Sequence, residues 1–130
     1  MRAAITFIPE TGRISPMYDV ARHVIVCRLC RCATVPEAVV PAVDFPEDRA
    51  SREKFFAENR VSFLITGAIS NDDVAELNRL GITVCPFATG DWREVWQEWV
   101  GRRRLSSCHL MPGCRSHHQK CCRGKEVEGE

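Results

Sequence analysis

Val61-Ser62-Phe63-Leu64-Ile65-Thr66-Gly67-Ala68-Ile69-Ser70-Asn71-Asp72-Asp73-Val74-Ala75-Glu76-Leu77-Asn78-Arg79-Leu80-Gly81 decides the fold class. Its first six residues are a near-continuous apolar run, the pattern of a strand buried on both faces of a parallel sheet. Gly67 breaks the run. Ser70, with Asp73 three residues on, is a helix N-cap, and Val74, Leu77 and Leu80 then recur at helical spacing until Gly81 ends the helix. Ile82–Phe87 is another short strand. Asp91 and Glu94 open a last helix that Gly101 closes.

Upstream, Ala3–Ile8 reads as a strand stopped by Pro9 and Gly12, and Pro9–Tyr18 reads as a loop. The β-branched run Val24-Ile25-Val26 marks a strand over His23–Leu29, and Glu37–Val43 pairs with it as a hairpin. Pro36 and Pro41 keep that third strand at a sheet edge. Arg49–Asn59 is a charged helix with Phe55 and Phe56 for the core. A hairpin followed by helix, strand, helix, strand and helix predicts an α/β domain with a mixed sheet.

The chain of 130 residues is 45% hydrophobic, enough for one core. Its 18 basic and 17 acidic residues leave a formal net charge of +1, so no overall field draws it to nucleic acid or an anionic membrane. No segment has the length and apolarity of a membrane span, and Met1–Glu10 has no export-signal pattern. The expectation is a cytoplasmic protein. Beyond Gly101 the composition shifts to basic, cysteine and histidine residues with few large apolar ones. The expected organisation is therefore a domain over 1–101 and a Cys/His/Arg-rich tail over 102–130 that is disordered without metal.

Reduced thiols are soft ligands for zinc, iron-sulfur and copper, and eight cysteines is a high count for such a chain. Cys108, Cys114, Cys121 and Cys122 lie in the tail beside His109, His117 and His118. Their spacing fits no standard zinc finger but offers four sulfurs to zinc or to a cluster. Strand alternation puts Cys27 with Ile25 and Leu29 on one face and Cys30 and Cys32 on the other. The three share an ion only if the strand breaks at Arg28. Cys85 reads as buried and inert, and Trp92, Trp96 and Trp99 as a packing stripe.

Ligands of open α/β sheets bind beyond the carboxyl ends of parallel strands, here at the loops Pro9–Tyr18, Gly67–Asn71 and Phe87–Gly90. Gly67-Ala68-Ile69-Ser70 leads straight into a helix. It is either an anion-holding turn or a tight connection that needs one glycine. No catalytic constellation of serine, histidine and aspartate or of paired carboxylates stands out, so the expected role is non-catalytic.

Gly12-Arg13-Ile14-Ser15-Pro16-Met17-Tyr18-Asp19-Val20-Ala21-Arg22 and Leu64-Ile65-Thr66-Gly67-Ala68-Ile69-Ser70 together resemble the dinitrogenase iron-molybdenum cofactor biosynthesis family, the NifX-like domain. Leu80-Gly81-Ile82-Thr83-Val84, Pro86-Phe87, Gly90-Asp91 and Met111-Pro112-Gly113-Cys114 follow in that family's order. The resemblance implies a ribonuclease H-like three-layer fold with a mixed five-stranded sheet and flanking helices. It also implies carriage or assembly of an iron-sulfur or molybdenum-containing cluster, with cluster-assembly or acceptor proteins as partners. Nuclease activity is not implied, because Ala3–Ile8 and Val61–Thr66 carry no acidic residue for magnesium.

The expected cofactor pocket comprises Ser15, Pro16, Met17, Tyr18, Gly67, Ala68, Ile69 and Ser70. The expected metal ligands are Cys108, Cys114, Cys121 and Cys122. Met17 and Tyr18 stand where many members of the family have histidine and phenylalanine, and Thr66 where many have cysteine. The alternative is a regulatory or interaction protein whose cysteine tail binds zinc or senses oxidation.

Overall fold

The computed structural model describes residues 1–29, 37–102 and 105–111. Six strands and three helices follow in order along the described residues: β1 (Arg2–Ile8), β2 (Arg13–Ile14), β3 (His23–Arg28), β4 (Glu37–Asp44), α1 (Arg49–Glu58), β5 (Val61–Ile65), α2 (Asn71–Arg79), β6 (Thr83–Cys85) and α3 (Trp92–Arg102). A single 3-10 turn, Ser107–His109, follows. The sheet order is β4-β3-β1-β5-β6. β1 runs antiparallel to β3, and β3 to β4, whereas β1, β5 and β6 are parallel. The sheet is therefore mixed, with β4 at an edge where Pro41 removes no central ladder bond.

Alternation along β1 sends Ala3, Ile5 and Phe7 into one core and Ala4 into the other. The first core is roofed by α3 through Trp92, Val95, Trp96 and Trp99. The second lies under α1 and α2 through Phe56 and Leu77, with Phe45 and Tyr18 beside them. Burying both faces explains why VSFLIT reads as a near-continuous apolar run. The tryptophans are a packing stripe: Trp92 meets Phe7 at 5.7 Å between ring centres, and Trp99 meets Phe63 at 5.1 Å.

Ser70 caps α2 as its sequence predicts, its hydroxyl accepting from the Asp73 amide at 3.1 Å. The Asp91 carboxylate accepts from the Arg93 amide at 2.9 Å at the start of α3.

Three features differ from the sequence reading. The sheet has a sixth strand, because Gly12 at φ 76° lets the chain turn back and pair Ile14 with Phe7. Helix α3 runs through Gly101 to Arg102 and does not stop at the glycine. Past it, Leu105 and Leu110 are buried in the α3 core, and Leu110 pairs with Ala88, so residues 105–111 pack on the domain. Cys30, Cys32 and the tail from Pro112 to Glu130 lie outside the described residues.

Candidate functional site

The carboxyl ends of the three parallel strands are stitched together by main chain. The Ala68 amide donates to the Pro16 carbonyl and the Tyr18 amide to the Ala68 carbonyl, both at 2.8 Å. The Phe87 amide donates to the Gly67 carbonyl at 2.8 Å, and the Met111 amide to the Phe87 carbonyl at 3.0 Å. Gly67 permits this closeness. A Cβ there would lie 2.3 Å from the Ser15 carbonyl oxygen and 2.5 Å from that of Pro16. The glycine thus serves a backbone contact between two loops, which accounts for a glycine at this turn by close approach of main chain. Its Ala68 amide is already engaged, and the first turn of α2 carries Asp72 and Asp73.

The eight pocket residues read from the sequence divide into two groups. Ser15, Pro16 and Met17 line a groove of about 300 Å³ together with Phe7, Ile8, Pro9, Glu10, Val20, Arg22 and His23. Met17 is 48% exposed and Val20 64%, both at this apolar mouth. Tyr18 and Ile69 are buried in the second core, Gly67 and Ala68 form the loop junction, and Ser70 is occupied by its cap. Thr66 is fully buried, its hydroxyl 2.8 Å from that of Thr6, and does not face the groove as a ligand.

The side-chain donors lining the groove are the Met17 thioether, the Ser15 hydroxyl, the Glu10 carboxylate and the His23 imidazole, whose Nε2 stands 3.5 Å from Asp44 Oδ1. Thioether and imidazole suit soft and borderline metals, and the Arg22 guanidinium complements an anionic group. The lining thus combines one soft donor, the Met17 thioether, with harder oxygen and nitrogen donors, and no thiolate is among the described lining residues.

Beneath the Tyr18 loop lies Arg52, buried to 4% exposure. Its guanidinium donates to the carbonyls of Pro46, Tyr18, Asp19 and Ala21 at 2.6 to 3.3 Å and lies over the rings of Tyr18 and Phe45. A buried charge is tolerated when its donors are satisfied, and here carbonyl dipoles and aromatic faces do that. Burial pushes the Tyr18 hydroxyl up to about 12 against the pull of Arg52, so it stays protonated. A second, polar cavity of about 280 Å³ lies over this point, lined by Tyr18, Asp19, Glu47, Arg49, Arg52 and Asp73.

Of the expected metal ligands, Cys108 is exposed, while Cys114, Cys121 and Cys122 lie outside the described residues. Cys27 and Cys85 are buried, and burial pushes the Cys27 thiol up to about 11. Among the described residues, no group of three or more His, Cys, Asp or Glu side chains is placed to hold a metal ion.

Beside Cys108, His109 Nδ1 is 2.8 Å from Glu98 Oε1, which also accepts from the Ser106 amide and hydroxyl. Burial pushes the Glu98 carboxyl up, but the bonds from His109 and Ser106 outweigh it and hold the group below its ordinary value. Sequence reasoning missed Val20, Arg22, His23, Arg52 and this Glu98–His109 pair. Only the four-residue spacing of Glu94 and Glu98 on one helix face hinted at the last.

No family model matches the chain, and no curated protein matches it. Solved structures share its fold, two of them as follows. PH0822 superposes with a TM-score of 0.71 at 19% identity, covering 88% of this chain and 99% of its own. A Methanocaldococcus jannaschii protein, MJ0327, provisionally assigned as a dinitrogenase, superposes with a TM-score of 0.57 at 16% identity, over 77% of this chain and 88% of its own. At these identities the likeness establishes the mixed α/β fold and nothing finer.

Proposed function

We propose that the protein binds and carries a metal-sulfur cofactor, of the iron-sulfur or molybdenum-containing kind, during its assembly, and performs no catalysis. The observation that carries this reading is the groove beside the stitched loops, where exposed Met17 and Val20 meet His23 and Arg22 at the carboxyl end of β1. A cofactor in transit needs a holding site that is open and offers a soft donor, and this groove has an open mouth with the Met17 thioether in it and the Arg22 guanidinium alongside the Glu10 carboxylate. Cluster thiolates would come from Cys108, Cys114, Cys121 and Cys122.

The strand order, with three antiparallel strands leading into two parallel ones, supports a ribonuclease H-like fold and membership in the NifX-like family. The provisional dinitrogenase assignment of the similarly folded MJ0327 agrees with that reading.

Anaerobic reconstitution of the full chain with iron and sulfide tests the groove. Met17→Glu or Arg22→Glu should cut cluster uptake about tenfold or more, the scale on which metal-site support is lost. Uptake equal to that of the unaltered chain would remove the loops from the site. The second reading, a regulatory or interaction protein with a zinc-binding or redox-sensing tail, is favoured by one observation: exposed Cys108 next to the ordered His109.

A further inference from the structure

The polar cavity of about 280 Å³ over Arg52 has no lining residue in common with the Met17 groove. Its buried end is Tyr18, 5% exposed, and Arg52, 4% exposed. Asp73 of α2 and Arg49, the first residue of α1, line it as an ion pair at 2.7 Å that joins the two helices. Asp19 and Glu47 complete the lining and are exposed.

Counting the groups already matched leaves two poles. A guanidinium has five N–H donors and no acceptor. Arg52 donates to the carbonyls of Pro46, Tyr18, Asp19 and Ala21, and the Tyr18 hydroxyl draws on the same guanidinium through a side-chain hydrogen bond. In that bond the phenol oxygen accepts, so its own proton must be given elsewhere. Burial keeps the proton on the oxygen, yet among the described residues no acceptor lies within its reach. A donor this deeply buried calls for an acceptor. Arg49, with donors beyond the one given to Asp73, adds positive charge to this pole.

The other pole is acidic. Asp73 is matched by Arg49, whereas the Asp19 and Glu47 carboxylates make no ion pair among the described residues. Glu53, whose Oε2 is buried without a hydrogen-bond partner, adds negative charge that reaches Tyr18 and Arg49. A metal ion does not suit the lining, since no three described His, Cys, Asp or Glu side chains converge. A simple anion would meet the carboxylates, and a simple cation would leave the phenol proton unmatched. The volume lies just under the range of about 300 to 1,000 Å³ usual for small-molecule pockets, which suits a single small metabolite.

We infer that this cavity binds a small zwitterion of the α-amino acid class, its carboxylate accepting from the Tyr18 hydroxyl and facing Arg49, and its ammonium donating to Asp19 and Glu47. The site is independent of the metal-sulfur reading and stands or falls without it.

Calorimetric titration of the full chain with a panel of free α-amino acids tests the inference, with acetate, ethylamine and glycine betaine as controls. At least one amino acid should bind with a Kd below about 1 mM. Acetate and ethylamine each lack one pole, and betaine lacks ammonium N–H donors, so all three should bind about tenfold or more weakly. Tyr18→Phe keeps the ring and loses the proton, and Glu47→Gln keeps the shape at an exposed position. Each should weaken binding about tenfold or more, with circular dichroism reporting that the variant is folded. Should Tyr18→Phe fail to fold, Glu47→Gln decides the question alone.

No heat of binding from any amino acid at about 10 mM would overturn the inference. So would acetate or ethylamine binding as tightly as the best amino acid, or Glu47→Gln binding it as tightly as the unaltered chain.

Discussion

Arg52 and Glu98 each gather several main-chain or side-chain groups from distant parts of the chain, and neither role is visible in local sequence. Arg52 sits in a helix of charged residues where a solvated arginine is the ordinary expectation, yet it is buried under the Tyr18 loop. Its partners are carbonyls, which carry no residue identity to read. Cys27, by comparison, was legible, because strand alternation alone places it in the core with Ile25. The Glu98 carboxyl is held below its ordinary value in the folded chain, so it contributes stability above the unfolded value. That contribution fades as pH falls through the folded value. Unfolding titrations should find the unaltered chain about 2 kcal/mol more stable than Glu98→Gln near neutral pH. The difference should shrink as pH falls below the ordinary carboxylate range. A pH-independent difference would mean that the carboxylate charge is not what Ser106 and His109 recognise.

The elements that sequence pattern located well are the ones with clear periodicity and punctuation: β5, α2 with its Ser70 cap, and the tryptophan face of α3. β2 escaped because two residues carry no period, and its existence depends on Gly12 and on pairing with β1. The loop junction was half legible. Gly67 marked a break, but only the fold reveals that its missing side chain makes room for the Ser15 and Pro16 carbonyls. Gly67→Ala should therefore force two loops apart and destabilise the domain by about 3 kcal/mol or more, far beyond an ordinary glycine substitution. Chemical denaturation measures this. A change below about 1 kcal/mol would show that the junction yields easily and does not fix the groove wall.

At the scale of the whole molecule, the sheet divides two cores, and the carboxyl ends of its parallel strands present one open groove and one fastened C-terminal segment. The tail composition after Gly101 hid this segment, because two leucines among basic and sulfur residues look too sparse to bury. Leu105 and Leu110 find their places only because α3 already supplies the core they close. A chain ending at Gly101 thus loses core along with cysteines and should unfold at lower denaturant than one ending at Met111, which keeps both leucines. Met111 is therefore the place to separate fold from tail.

The central claim, a metal-sulfur cofactor bound by this chain, is tested most directly by anaerobic purification of the full chain and of the chain ending at Met111. Visible absorption and elemental analysis would be recorded for each. The account predicts a coloured full chain containing iron or molybdenum with sulfide, and loss of most of that content on truncation although the domain remains folded. A full chain that stays colourless and free of iron, molybdenum and sulfide after attempted reconstitution would contradict it.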